Sequence, residues 1–405
     1  MKLGNKMQKK SKANKKYEAF QVALNVNFYF TFCFQRVLWS SRMCQTWSCA
    51  FFRRTAEPPS GSMRAGRLFG VLIAAGLALV GPPLCRSVSS EETGRECNGS
   101  AAGLKPLRRQ FHRPDEENSA ESHRRLLGLQ EAVKRHALLN SVSTTPQSAK
   151  YGFTQFSDLS QEEFKDLYLR ASTDRAPLFS GLKIEGLPAK FDWRDKAVVA
   201  PVQNQQACGS CWAFSVIGAM QSVHAIGGSQ LEQLSVQQVL DCSFRNEGCN
   251  GGSISKALSW LKQTRVKLVP QSEYPYKAKT GICHFFSPSH AGVALMNFTA
   301  HDFSGQEVAM MGELVQRGPL AVVVDAVSWQ DYLGGIIQHH CSSQYSNHAV
   351  LVVGYDTTGD IPYWIVQNSW GATWGNEGYV YIKIGGNICG ECDPCLFSFP
   401  AHISF

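Results

Sequence analysis

From Leu187 onward the chain changes its apolar period once. Cys211–Ile226, Ser235–Leu240 and Ile254–Lys262 read as helices. Leu320–Asp325, His348–Tyr355, Tyr363–Gln367 and Gly378–Ile384 are rich in Val, Ile and Tyr and alternate like strands. Helices gathered ahead of strands point to an α+β fold with two subdomains, one helical and one of β structure, and room for a cleft between them. These 219 residues hold nine of the fourteen cysteines. So many cysteines favour an oxidising compartment if they pair.

Before Leu187 the chain reads as a series of processed segments. The total charge of +8 is carried by residues 1–62, with eleven Lys/Arg against Glu18 and Glu57, which leaves residues 63–405 at about −1. The total therefore points to no nucleic-acid partner. Residues 1–62 show no clean period and read as an extension outside the functional protein. Met63 opens a basic start and the apolar run Leu68–Val80, followed by Gly-Pro-Pro. That is the plan of a secretory signal peptide over 63–86, too short to span a bilayer. Residues 87–186 follow, with a loosely helical stretch over Glu121–Asn140 and a capping box at Ser160–Glu163 that opens a further helix. Arg170–Gly186 lacks periodicity and reads as a linker.

"CGSC", Cys208 to Cys211, leaves three readings open: half a zinc site, a thiol–disulfide switch, or a structural cysteine beside a nucleophile. A zinc ribbon needs a second pair at suitable spacing, and Cys389, Cys392 and Cys395 lie about 180 residues away. A thioredoxin-like switch needs flanking βαβ structure, which this sequence lacks. The third reading gathers support. Cys211 starts an apolar helix, where unpaired N–H groups and the helix dipole stabilise a thiolate. His348 begins a strand and Asn368 comes just after the next one. An imidazole can hold the thiol proton and return it to a leaving amine, and an Asn carbonyl can orient the imidazole without burying a charge. The Cys211 N–H and the Gln205 amide are candidate donors to an oxyanion.

"NQQACGSCWAF", "CNGG", "NHAV" and "NSWG", in this order, resemble the papain family of cysteine peptidases. The resemblance spans Leu187–Phe405 and implies a papain-like peptidase domain over 187–405, with a helical left domain and a β-barrel-like right domain. It implies Cys211 as nucleophile, His348 as acid/base, Asn368 as its orienter, Gln205 as oxyanion donor and Trp370 as a shield over the His–Asn hydrogen bond. A histidine-paired thiol of this kind has a pKa of about 3–4. Gly251 and Gly252 would line the substrate groove, and the disulfides would be Cys208–Cys249, Cys242–Cys283 and Cys341–Cys389. Residues 87–186 resemble an inhibitory propeptide: Gly152, Phe156 and Asp158 fit a prodomain motif in which Thr154 replaces an Asn. By analogy this segment crosses the cleft backwards and is cut near Leu187 when acidification loosens it.

The expected protein is thus a lysosomal or secreted zymogen of a cysteine endopeptidase, monomeric, without cofactor or metal. Its partners would be polypeptide substrates, its own propeptide and cystatin-type inhibitors. A catalytically silent binding protein is the alternative, distinguished by whether nucleophile, base and oxyanion donor are all present. Asn98 and Asn297 are glycosylation sequons. His224, His339 and His340 read as surface or packing residues, and the role of Cys392 and Cys395 is left open.

Overall fold

Two apolar cores meet on one long strand, and that strand organises the structure. The computed structural model describes residues 119–143, 145–181, 185–342 and 345–390. The expectations for residues 1–62 and 63–86, for Asn98, and for Cys392 and Cys395 lie outside the described residues. The N-terminal part forms helix α1 (Ser119–Asn140), strand β1 (Lys150–Tyr151) and helix α2 (Gln161–Tyr168). After β2 (Lys190–Asp192) come α3 (Cys211–Ile226), α4 (Val236–Cys242) and α5 (Ile254–Thr264). The remaining elements are β3 (Lys267–Leu268), β4 (Val293–Ala294), α6 (Glu307–Arg317), β5 (Leu320–Val324), β6 (Tyr332–Gly334), β7 (Ile336–Ile337), β8 (His348–Asp356), β9 (Tyr363–Gln367) and β10 (Tyr379–Lys383).

In the main sheet β8 pairs antiparallel with β5 along its first half, with β2 at its far end and with β9 on its other side; β10 then joins β9 to β7. All nine residues of β8 are buried, which explains a continuous apolar run in place of alternation. Its side chains still alternate. Ala349, Leu351 and Val353 pack with Trp212, Val216 and Leu258 in the helical core. Val350 and Val352 face the opposite core with Val322, Trp364 and Val366. Helix α3 is apolar on every side and buried along most of its length between Cys211 and Val223, as a central helix must be. Helix α6 interrupts the expected segregation of helices before strands. Its Met310, Met311 and Leu314 pack into the β-side core.

Cys208–Cys249, Cys242–Cys283 and Cys341–Cys389 are bonded, and Cys211 is a free, buried thiol. The C-x-x-C spacing is therefore no redox or zinc pair. Among the described residues no helix is long and apolar enough to cross a membrane.

The N-terminal segment packs into the β-side core through Phe156, Leu159, Phe164 and Tyr168. The capping box closes as the sequence predicts. Ser160 Oγ accepts from the Glu163 N–H, and Glu163 accepts from the Ser160 N–H. Strand β1 pairs with β6, and Thr154 Oγ donates to the Gln330 carbonyl at 2.5 Å. The stretch read as a linker has a more definite structure than that word implies. Its backbone hydrogen bonds go to other segments, with bridges Ala171–Gly252 and Leu178–Asp302, so no local period exists to be read.

Candidate active site

The site is assembled where the start of α3 meets the start of β8. Cys211 is the first residue of α3, and both Cys211 and His348 are fully buried. The Cys211 thiol takes a hydrogen bond from the main chain of Ala349, the residue after His348. His348 Nε2 lies 2.7 Å from Asn368 Oδ1, which also accepts the Ser369 N–H at 2.8 Å. A carbonyl oxygen only accepts, so Nε2 carries the proton and Nδ1 keeps its lone pair. That Nδ1 is buried without a hydrogen-bond partner, ready to receive a proton. The Trp370 ring lies 4.6 Å from the imidazole at 32°, and Trp329 meets the imidazole edge-on at 6.1 Å.

Gln205 is fully buried and held at every polar group. Its Oε1 accepts from Ser369 Oγ at 2.6 Å, its N–H donates to the Ser369 carbonyl at 2.7 Å, and its carbonyl accepts from Tyr276 Oη at 2.7 Å. Ser369 thus decides which end of the amide points forward. The Nε2 group donates to the Cys208 carbonyl at 2.9 Å and to the Tyr168 carbonyl at 3.2 Å. The second contact belongs to the N-terminal segment.

That segment lies directly over the dyad. Ala171 N–H donates to the Asn347 carbonyl at 2.9 Å, Ser172 N–H to the Gly252 carbonyl at 2.9 Å, and Gly252 N–H to the Arg170 carbonyl at 3.1 Å. The bridge between Ala171 and Gly252 is parallel. At Gly251, where φ is +123°, a Cβ would stand 2.4 Å from the Arg170 carbonyl, so only glycine lets the two backbones approach this closely. Phe156, Phe164 and Tyr168 surround Trp370 with ring centroids 5.2, 5.3 and 6.4 Å away.

Covered in this way, the dyad is neutral. Burial pushes the Cys211 thiol up to about 11, against main-chain hydrogen bonds from Ala349 and Arg170 that pull it down. Burial likewise pushes His348 down to about 4, against the Asn368 hydrogen bond and the Tyr168 main chain. The low thiol pKa expected from the resemblance does not hold in this covered state, because desolvation outweighs the donors. Sequence reading also missed Ser369 and Asn347, although "NSWG" contains the first and "NHAV" the second. Asn347 works through its main-chain carbonyl, for which no side-chain signal exists. Asn297 is exposed in an irregular stretch. Among the described residues no group of His, Cys, Asp and Glu could hold a metal ion.

The family described as papain family cysteine protease matches residues 187–396. Cathepsin O of Homo sapiens is 55% identical over 276 residues, covering 67% of this chain and 86% of its own. Cathepsin O of Mus musculus is 54% identical over 278 residues, covering 67% and 89%. Among solved structures, digestive procathepsin L 3 of Tenebrio molitor larval midgut aligns with a TM-score of 0.65 at 32% identity, covering 74% of this chain and 98% of its own. A recombinant stem bromelain precursor aligns at 0.64 and 31%, covering 72% and 95%. The fold, the order of the motifs and these relatives agree: the chain belongs to the papain family of cysteine proteases and is a cathepsin O-like cysteine peptidase.

Proposed function

We propose that the chain is the zymogen of a lysosomal or secreted endopeptidase that cleaves peptide bonds through a thioester. Residues 87–186 are its inhibitory prosegment and 187–405 its peptidase domain. The observation that carries this reading is the free thiol of Cys211 beside an imidazole whose Nδ1 is unpartnered and whose Nε2–H is held by Asn368. Once the cleft opens, the Cys211 proton passes to His348 Nδ1 and Sγ attacks the scissile carbonyl carbon. The resulting oxyanion takes hydrogen bonds from the Cys211 N–H and Gln205 Nε2. His348 returns the proton to the departing amine, leaving an acyl-thioester. Water, activated by the same imidazole, then releases the acid and restores the thiol.

In the covered form the Tyr168 carbonyl accepts the Gln205 amide that the oxyanion would use. The parallel Ala171–Gly252 bridge supports a prosegment that runs opposite to a substrate and so resists cleavage. Three disulfides and the apolar run after Met63 support the secretory route. An endopeptidase is favoured because Cys249 and Cys283 are only 34 residues apart, which leaves no insertion long enough to close one end of the cleft. Substrates would be polypeptides, and cystatin-type inhibitors would bind the same groove once it is uncovered.

The test is expression from Met63, acidification, and treatment with an epoxide electrophile. Mass spectrometry is expected to find one adduct, on Cys211, in an enzyme that hydrolyses peptides. The variant His348→Ala should show neither adduct nor hydrolysis. An inert processed protein would favour a silent binding module. N-terminal sequencing of secreted material tests the boundary at Met63, and any peptide from residues 1–62 would overturn it.

A further inference from the structure

Asp325 is a buried carboxylate, 7% exposed, that the chemistry above does not use. It lies one residue beyond Val324, the last residue of β5 and the register partner of His348. Both of its oxygens are occupied by neutral donors. Oδ1 accepts from the Asn347 side-chain amide at 2.7 Å and from the Val327 N–H at 3.3 Å. Oδ2 accepts from the Ser342 N–H at 2.9 Å, and the Asp325 N–H donates to the Cys389 carbonyl at 2.8 Å. The carboxylate therefore ties the end of β5 to the Cys341 side of the Cys341–Cys389 disulfide and to the residue before His348, while the Asp325 main-chain N–H holds the Cys389 side.

Asn347 is held from the other directions as well. Its Oδ1 accepts from the Ala326 N–H at 3.0 Å, and its own N–H donates to the Val324 carbonyl at 2.9 Å. Its main-chain carbonyl is left to accept the Ala171 N–H from the segment in the cleft. A buried charge is a costly way to hold a turn unless its strength and its two acceptor oxygens are needed. Here they immobilise one short stretch whose carbonyl faces whatever polypeptide occupies the cleft.

We propose that Asp325 is a positioning residue for polypeptide binding, fixing the Asn347 carbonyl, through the Asn347 side-chain amide, as the acceptor for a main-chain N–H of the bound chain. The segment at Ala171 shows the contact. A substrate running in the opposite direction also presents a main-chain N–H to the same carbonyl. This role rests on the reading of Cys211 and His348 as the catalytic dyad, and it concerns binding in place of proton transfer.

The test uses the processed enzyme made from the full chain, with the link cut from either end by Asp325→Ala or Asn347→Ala. With an extended peptide substrate, KM is expected to rise about tenfold while kcat stays within about threefold, as for one weakened hydrogen bond. Alkylation of Cys211 by iodoacetamide, which needs no main-chain contact, should keep its rate and pH profile. The exchanged pair Asp325→Asn/Asn347→Asp rebuilds the amide–carboxylate link with partners reversed and should bring KM back. An unchanged KM in a folded single variant overturns the proposal. So does a fall in kcat and alkylation together at constant KM, which would make Asp325 a support of the dyad. Failure of both single variants to fold would make it a purely structural residue and also overturn it. Absence of Cys211 alkylation in the unsubstituted enzyme would instead defeat the dyad reading.

Discussion

In the covered cleft burial suppresses the Cys211 thiolate, and on the proposed reading uncovering the cleft reverses this and sets its reactivity. With the thiol raised to about 11 by burial, the thiolate is scarce at any pH below that value. Opening the cleft removes the desolvation and leaves the start of α3 and the imidazole to lower it. The proform should therefore resist iodoacetamide from pH 5 to 8, while the processed enzyme reacts throughout that range. Alkylation rates on the two forms check this, and equal rates would contradict it. Gln205 yields a second expectation. Gln205→Ala should lower kcat by about 10²–10³-fold, the usual loss for one oxyanion donor. Ser369→Ala should cost less, about threefold to tenfold, because it frees the amide to turn without removing it. Active-site titration followed by kcat on a peptide substrate separates the two. The grouping of Cys211, His348, Asn368 and Gln205 could be expected from the sequence because the roles proposed for them lie in side-chain chemistry. Tyr168 and Asn347 could not, because each acts through a carbonyl that every residue has.

Among the elements, the docking of α1 and β1 on the stretch before β6 depends on a charge that no periodic pattern reveals. Asp331 is 1% exposed and accepts from Arg135 Nε at 2.8 Å and Nη2 at 3.3 Å, with His136 Nε2 at 3.2 Å and Ser157 Oγ at 3.1 Å. Burial raises its carboxyl, but the His136 and Arg135 contacts prevail and hold it below the usual carboxylate range. A depressed pKa stabilises the docked state fully above the ordinary carboxylate value and ceases to do so only as pH falls through the lowered one. This contact should thus survive mild acidification and fail only below about pH 4. Asp331→Asn strands Arg135 and should weaken inhibition of the processed enzyme by added prosegment about tenfold to hundredfold at pH 7. The variant should also lose the steep decline below pH 4. Inhibition constants from pH 7 to 3.5 check both, and an unchanged constant at pH 7 would remove Asp331 from the docking contact. The helix over Glu121–Asn140 and the capping box were legible, since both are local. The path of Arg170–Gly186 was not, because its hydrogen-bond partners are distant in sequence.

Across the whole molecule, the helical and β-side cores share β8, and the proposed prosegment places its aromatic side chains in the second while giving the first only the partly buried Ala171 and Ala176. Phe156, Phe164 and Tyr168 close around Trp370, which in turn packs against Trp329, Trp374 and His348. The buried members of the helical core, which pack α3 against α4, α5 and β8, all lie outside residues 119–181. The two halves therefore depend unequally on the prosegment while the chain folds. Long-range pairing of β5, β8, β9 and β10 is slow, and exposed Trp and Val surfaces make the delay hazardous. Three aromatic rings supplied from nearby residues 156–168 would cover part of that surface as the sheet forms. A chain beginning at Leu187 should accordingly refold from denaturant with a yield several-fold below that of the chain beginning at Met63. Adding residues 119–186 as a separate peptide should recover much of the difference, and Phe164→Ala in that peptide should not. Yield is read by titration of Cys211 after removal of the peptide. Equal yields with and without residues 119–186 would mean that the prosegment only covers a site that the peptidase domain builds unaided.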